Sequence, residues 1–186
     1  MSGEERRSQV LGIAAGEFAN HGLHGASIEA IARSAEITQA YIFRMFGTKK
    51  ALFLELVVAA FDRMTEGMRD AAGSQTGLDA LSCMGAQYDE MLADRTSLLL
   101  QLQGFAACGD PEVRDAVRDG FGGTWQMVVE TTGLDLVTIK AFLAFGMLLN
   151  SGAALQVAEL EEPWARGVRT RVRPGLFRHI TSATNR

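Results

Sequence analysis

The chain has 186 residues, a formal net charge of −4 at neutral pH and 47% hydrophobic residues. That length suits one large domain, or a small domain fused to a larger one, and buries about two thirds of the unfolded surface without a metal or disulfide staple. The charge excludes a polycation that coats nucleic acid, but residues 1–50 carry six cations against five carboxylates, a balance of +1 that leaves −5 for the rest.

In chain order, the opening MSGEERRSQ is charged and lacks the apolar stretch of a secretion signal, so a cytoplasmic location is expected. Glu4 to Asn20 puts Val10, Ile13, Ala14, Phe18 and Ala19 on one face, the spacing of an amphipathic helix that His21 and Gly22 end. Ser27 is a good N-cap for a second helix with Ile28, Ile31 and Ala32 inward and Glu29 in the first turn, where the helix dipole welcomes an anion. Thr38 caps a third, short helix that turns Ile42 and Phe46 inward. Gly47-Thr48 stops the chain and restarts it.

From Lys49 the apolar series Leu52, Leu56, Val57, Ala60, Met64 and Met68 predicts a long helix of about six turns. Breaks follow at Gly73–Gly77, Ala93–Thr96, Gly109–Pro111, Thr132–Gly133, Glu161–Pro163 and Arg173–Gly175. Pro111 and Pro163 fit the first turn of a helix, and Pro174 ends one. Alternating Val/Ile/Thr runs that would read as strands are missing. The expected fold is therefore all-α, with about nine helices. A small head over residues 1–50 joins, through the long helix, a larger body over residues 51–186.

Two stretches carry separate readings. Ala141 to Ala158 holds no charged residue and is about long enough to span a bilayer. Gly146, Asn150, Ser151, Gly152 and Gln156 punctuate it, so a helix buried at a subunit interface is expected and no membrane partner. Cys83 and Cys108 lack a CxxC context and read as reduced thiols. His21, His24 and His179 are scattered, so neither a metal site nor a cofactor is expected.

Residues 26–52 hold the densest signal. A recognition helix must bury one side on its scaffold and offer the other to base edges in the major groove. In Thr38–Phe46 that leaves Gln39, Ala40, Tyr41 and Met45 toward solvent. Gln pairs bidentately with adenine, and Ala meets a thymine methyl. Lys49, in the first turn of a capped helix, converges with free N–H groups on a phosphate, and Ser27 does likewise at its own N-cap. Arg44 and Lys50 are further phosphate-seeking groups.

The residues Ala14-Ala15, Phe18, Gly22, Ser27-Ile28, Ile31-Ala32, Ile37-Thr38, Ile42-Phe43, Phe46, Lys49 and Leu52-Phe53, at their fixed offsets, resemble the N-terminal domain of the TetR family of transcriptional regulators. The resemblance covers about residues 6–55. It implies a helix-turn-helix domain in which Ser27, Thr38, Gln39, Ala40, Tyr41, Phe43, Arg44, Met45 and Lys49 meet bases or backbone of double-stranded DNA. Phe43 stands where the family commonly has a tyrosine whose hydroxyl reaches a phosphate. Glu36 stands where the family usually has glycine in the turn, and its carboxylate either faces DNA or caps the helix start.

A single head reads only a few base pairs, so the body must dimerise and the operator be palindromic. Leu136–Val157 with Pro163–Val172 is the candidate interface, through Phe142, Phe145, Leu149, Asn150, Ala153, Val157, Trp164 and Val168. The resemblance further implies a small-molecule effector. Met64, Met68, Met84, Tyr88, Met91, Phe105, Cys108, Phe121, Trp125 and Phe142 are the candidate lining for an apolar or aromatic one. The arginines at 166, 169, 171, 173 and 178 read as a solvated rim. A ligand-responsive homodimeric repressor is the leading expectation. The alternative is an all-helical small-molecule binding or interaction protein without sequence-specific DNA binding. No nucleophile–base pair, carboxylate dyad or phosphate loop points to an enzyme.

Overall fold

A computed structural model describes residues 2–170. The expected stop at Pro174, Arg171, Arg173, Arg178 and His179, and the end of the Pro163–Val172 helix, lie outside them. Among the described residues there are nine α-helices and no strand: α1 Gly3–Gly25, α2 Ile28–Ser34, α3 Gln39–Phe46, α4 Lys49–Ala72, α5 Gly77–Met91, α6 Arg95–Ala106, α7 Pro111–Thr132, α8 Leu136–Ala154 and α9 Pro163–Arg169. The all-α expectation holds.

The chain divides into two compact units. Among the described residues, one holds residues 2–62 and adds Thr96–Gly120; the other holds Arg63–Arg95 and residues 121–170. The boundaries thus fall inside α4 and α7 and at the first residue of α6.

In the first unit the apolar faces read from the sequence meet in one core. Val10, Ala14 and Phe18 of α1, Ile31 and Ala32 of α2, Ile42 of α3, and Leu52, Phe53 and Val57 of α4 are all buried. The Phe18 and Phe53 rings lie 5.3 Å apart, tilted by 56°, within the range of favourable aromatic contacts. α6 joins this core through Leu98, Leu100 and Gly104. A Cβ at Gly104 would stand 2.9 Å from Val57 and 3.2 Å from Val117, so only glycine allows that approach. Phe105 meets Phe61 edge-on at 5.9 Å.

The helix ends follow capping chemistry. Ser27 accepts from the Ala30 N–H, Thr38 from the Tyr41 N–H and Thr48 from the Ala51 N–H, which satisfies donors that no helical carbonyl can reach. At the front of α1, Ser2 and Glu5 form a reciprocal capping box. At the back, Gly22 (φ 66°, ψ −177°) leaves the helix as expected, and one further helical turn runs on from this bend to Gly25.

The second unit packs the far half of α4 (Met64, Met68, Ala72) and α5 (Ala80, Leu81, Met84) with Met127 and Val128 of α7 and Ile139 of α8, all buried. The Thr65 and Thr124 hydroxyls bond at 2.7 Å between α4 and α7. Asp135 caps α8 through the Val137 and Thr138 N–H groups. The Thr138 hydroxyl bond, then the backbone donors, hold that carboxyl below the usual carboxylate range. α8 stops at Ala154, three residues before the expected Val157, because Gln156 adopts a left-handed φ of 53°. A short 3-10 turn, Val157–Glu159, follows.

Candidate nucleic-acid interface

The helix-turn-helix is α2, the turn 35–38, and α3. Its turn is closed by the Ile37 N–H on the Ala32 carbonyl at 3.0 Å. Glu36 sits in the turn with a left-handed φ of 55° and is exposed. Thr38, not Glu36, caps α3.

α3 buries Ile42 and Phe46 and leaves Gln39, Ala40, Phe43 and Arg44 exposed, with Tyr41 and Met45 half-buried. Phe43 keeps 42% of its surface in solvent, a high value for a large apolar side chain on a helix whose other face fills a core. The Arg44 guanidinium lies 4.6 Å from the Tyr41 ring centroid. That cation–π stack orients both side chains on one surface. Thr38 is exposed and Ser27 half-buried.

Lys49 has a specific setting. Its ammonium donates to the His24 carbonyl at 3.0 Å and the Ala26 carbonyl at 2.8 Å, at the end of α1. An ammonium carries three donors, so a third remains for an anion. Lys50 is engaged elsewhere: it donates to Asp110 at 3.2 Å and Glu112 at 2.5 Å. Glu112 first and Asp110 second raise its pKa. Partial desolvation pushes the Asp110 carboxyl up, and the bonds from Lys50 and the Val113 and Glu112 N–H groups more than offset it.

Three residues around the head escaped sequence reasoning. Arg6 donates to the Ala35 carbonyl at 3.2 Å, tying α1 to the turn. Arg7 pairs with Glu55 of α4 at 2.6 Å and covers the Phe46 ring at 4.8 Å. Glu17 accepts from the Ser27 N–H at 2.8 Å, fixing the entry to α2. Each is a charged residue on an amphipathic helix, which periodicity assigns only to solvent.

The candidate effector lining splits between the units. Phe105 and Cys108 belong to the first, where Cys108 donates to the Gly104 carbonyl. In the second, Met64, Met68, Met84 and Tyr88 are buried and Met91, Phe121, Trp125 and Phe142 half-buried. Tyr88 donates its hydroxyl to Asn150. Burial pushes the phenol up to about 12, against the opposing pull of Asn150.

Among the candidate interface residues, Asn150 and Val157 are buried within the chain. Phe142, Phe145, Leu149, Ala153 and Val168 are half-buried, and Trp164 is exposed. An open cleft of about 450 Å³ in the second unit is lined by Leu149, Ala153, Val157 and Val168 of that set, with Asp89, Leu92, Arg95, Gly152, Gln156, Ala158, Glu159 and Arg169. It contains none of the candidate effector-lining residues. α8 is long and apolar enough to cross a membrane, with a mean hydropathy of 1.5. Leu136, Met147 and Leu148 on it, and Leu155 just past its end, are exposed in the single chain.

Residues 10–56 match the family model described as bacterial regulatory proteins, tetR family. The chain is 30% identical over 73 residues to the HTH-type transcriptional activator FasR of Mycolicibacterium smegmatis, a match spanning 39% of this chain and only 33% of that one. Its fold is similar to Salmonella enterica GusR, with a TM-score of 0.72 at 15% identity over 97% of both chains. It is also similar to the transcriptional regulator FadR of Bacillus subtilis, solved in complex with stearoyl-CoA, with a TM-score of 0.64 at 14% identity over 94% of this chain and 95% of that one. Residues 10–56 thus match the tetR-family model in sequence, and the all-helical fold is similar to that of solved regulators along nearly the full length of the chain.

Proposed function

We propose that this protein is a homodimeric transcriptional repressor that holds a palindromic operator and releases it on binding a small apolar or aromatic effector. The observation that carries the reading is the division of α3, with Ile42 and Phe46 in the core and Gln39, Ala40, Phe43 and Arg44 in solvent. Gln39 and Ala40 are the base readers, joined by Tyr41 and Met45. Thr38, Ser27, Arg44 and Lys49 address the backbone, Lys49 through the donor that its two carbonyl bonds leave over. Phe43 offers no hydroxyl to a phosphate, and its exposed ring instead suits an apolar contact such as a thymine methyl.

The functional division is a DNA-binding part over residues 1–50 and a ligand-binding and dimerising part over residues 51–186. Support for self-association comes from α8 and α9, where Leu148, Met147 and Trp164 offer apolar surface. The effector would bind the body, shift α4 and change the distance between two heads. The shift in operator affinity can be no larger than the effector's preference between the two spacings.

Binding-site selection from random duplexes tests the reading first, and a palindrome is the expected product. Lys49→Ala should then weaken all sequences alike and lower the salt slope by about one. Gln39→Ala should cost roughly 1–3 kcal/mol on the selected site only. Equal affinity of the parent for selected and random duplexes would sink it. Stearoyl-CoA, which the Bacillus subtilis FadR structure contains, is a rational first effector in a release assay.

A further inference from the structure

We propose that Gln103 of α6 is a positioning residue for the phosphate anchor Lys49, acting through the bent end of α1. The inference rests on the reading of Lys49 as a DNA contact and extends it to a residue on another element of the same unit.

Lys49 is not aimed by α4 alone. Its ammonium is held by the carbonyls of His24 and Ala26, so it goes where the end of α1 goes. Those carbonyls are where they are because α1 bends at Gly22, whose φ of 66° and ψ of −177° leave the helix before one further turn. The Ala26 N–H closes that turn on the Gly22 carbonyl at 3.1 Å.

Gln103 holds the bend from the other side. Its Nε2 donates to the Ala19 carbonyl at 3.3 Å. Its Oε1 fills the space that a side chain at Gly22 would take, since a Cβ there would stand 2.6 Å from it. The two ends of one amide therefore meet Ala19, on the turn before the bend, and Gly22, at the bend itself. α6 is itself fixed to α4: Gln101 donates to the Ala60 carbonyl at 3.2 Å in a buried setting, and Gly104 lies against Val57. A displacement of α6 thus moves Gln103, the Gly22 bend, the His24 and Ala26 carbonyls and the Lys49 ammonium in sequence.

The test is a double-mutant cycle on DNA binding. Gln103→Met keeps the length of the side chain and removes its donor and acceptor; Gln103→Ala removes the contact altogether. Affinities for the selected operator and for a random duplex are measured between about 50 and 200 mM salt, and melting curves establish that each variant is folded. In the parent background either substitution should weaken both duplexes by a similar factor and flatten the salt slope by up to about one. In a Lys49→Ala background neither should change affinity or slope further. Folded variants with parental affinity and slope overturn the proposal, and so do losses that add to that of Lys49→Ala. A parent that does not prefer its selected operator overturns the DNA-binding reading and this proposal together. A specific parent with additive losses overturns the positioning role alone.

Discussion

Glu36 shows how one residue can conflict with its backbone. A side chain at a left-handed φ of 55° costs about 1–2 kcal/mol through its Cβ, and replacing it with glycine returns part of that as chain entropy. Glu36→Gly should therefore stabilise the protein by about 0.5–1 kcal/mol, read as a higher denaturant midpoint at unchanged slope. An unchanged or lower midpoint would mean that the carboxylate makes a stabilising contact. Sequence alone left two roles open for this anion, and the structure removes one, because Thr38 caps α3. The same limit explains Lys49. Its place in a first turn was readable, but its bonds to His24 and Ala26 depend on residues more than twenty positions away.

Among elements, the pairing of α5 with α8 carries a buried polar bond from Tyr88 to Asn150. Tyr88→Phe should cost about 1–3 kcal/mol, because the Asn150 carbonyl loses its donor inside the protein, while adding Asn150→Leu should recover much of that. The phenol pKa is raised to about 12, above its unfolded value of about 10. Stability from the neutral phenol is therefore complete below pH of about 10 and is lost as pH rises through about 12. Melting curves over that alkaline range should fall more steeply for the parent than for Tyr88→Phe, and parallel curves would contradict the assignment. The helices themselves were legible wherever a cap, a proline or a glycine marked an end: Ser27, Thr38, Pro111 and Pro163 all sit where their chemistry placed them. The end of α8 was misplaced because Gln156 takes a positive φ, and glutamine gives no local sign of that. Asn150, read as an interface residue, belongs to a pair separated by 62 positions, beyond the reach of periodicity.

Across the molecule, α8 is the element whose chemistry is least satisfied by one chain. Only 22% of its most apolar window is buried, and Leu148 on it and Trp164 on α9 are 46% and 51% exposed. If this surface meets its copy, Leu148→Glu combined with Trp164→Glu should convert the dimer to a monomer in sedimentation and leave the helix content unchanged. A double variant that still sediments as a dimer would place the interface elsewhere. The apolar exposure of α8 also bears on how the cell would use such a regulator. Where two chains must meet before an operator can be held, occupancy at low abundance rises with the square of the protomer concentration. Folding stability then depends on copy number as well. A modest change in synthesis rate would give a steep change in promoter activity, before any effector is bound.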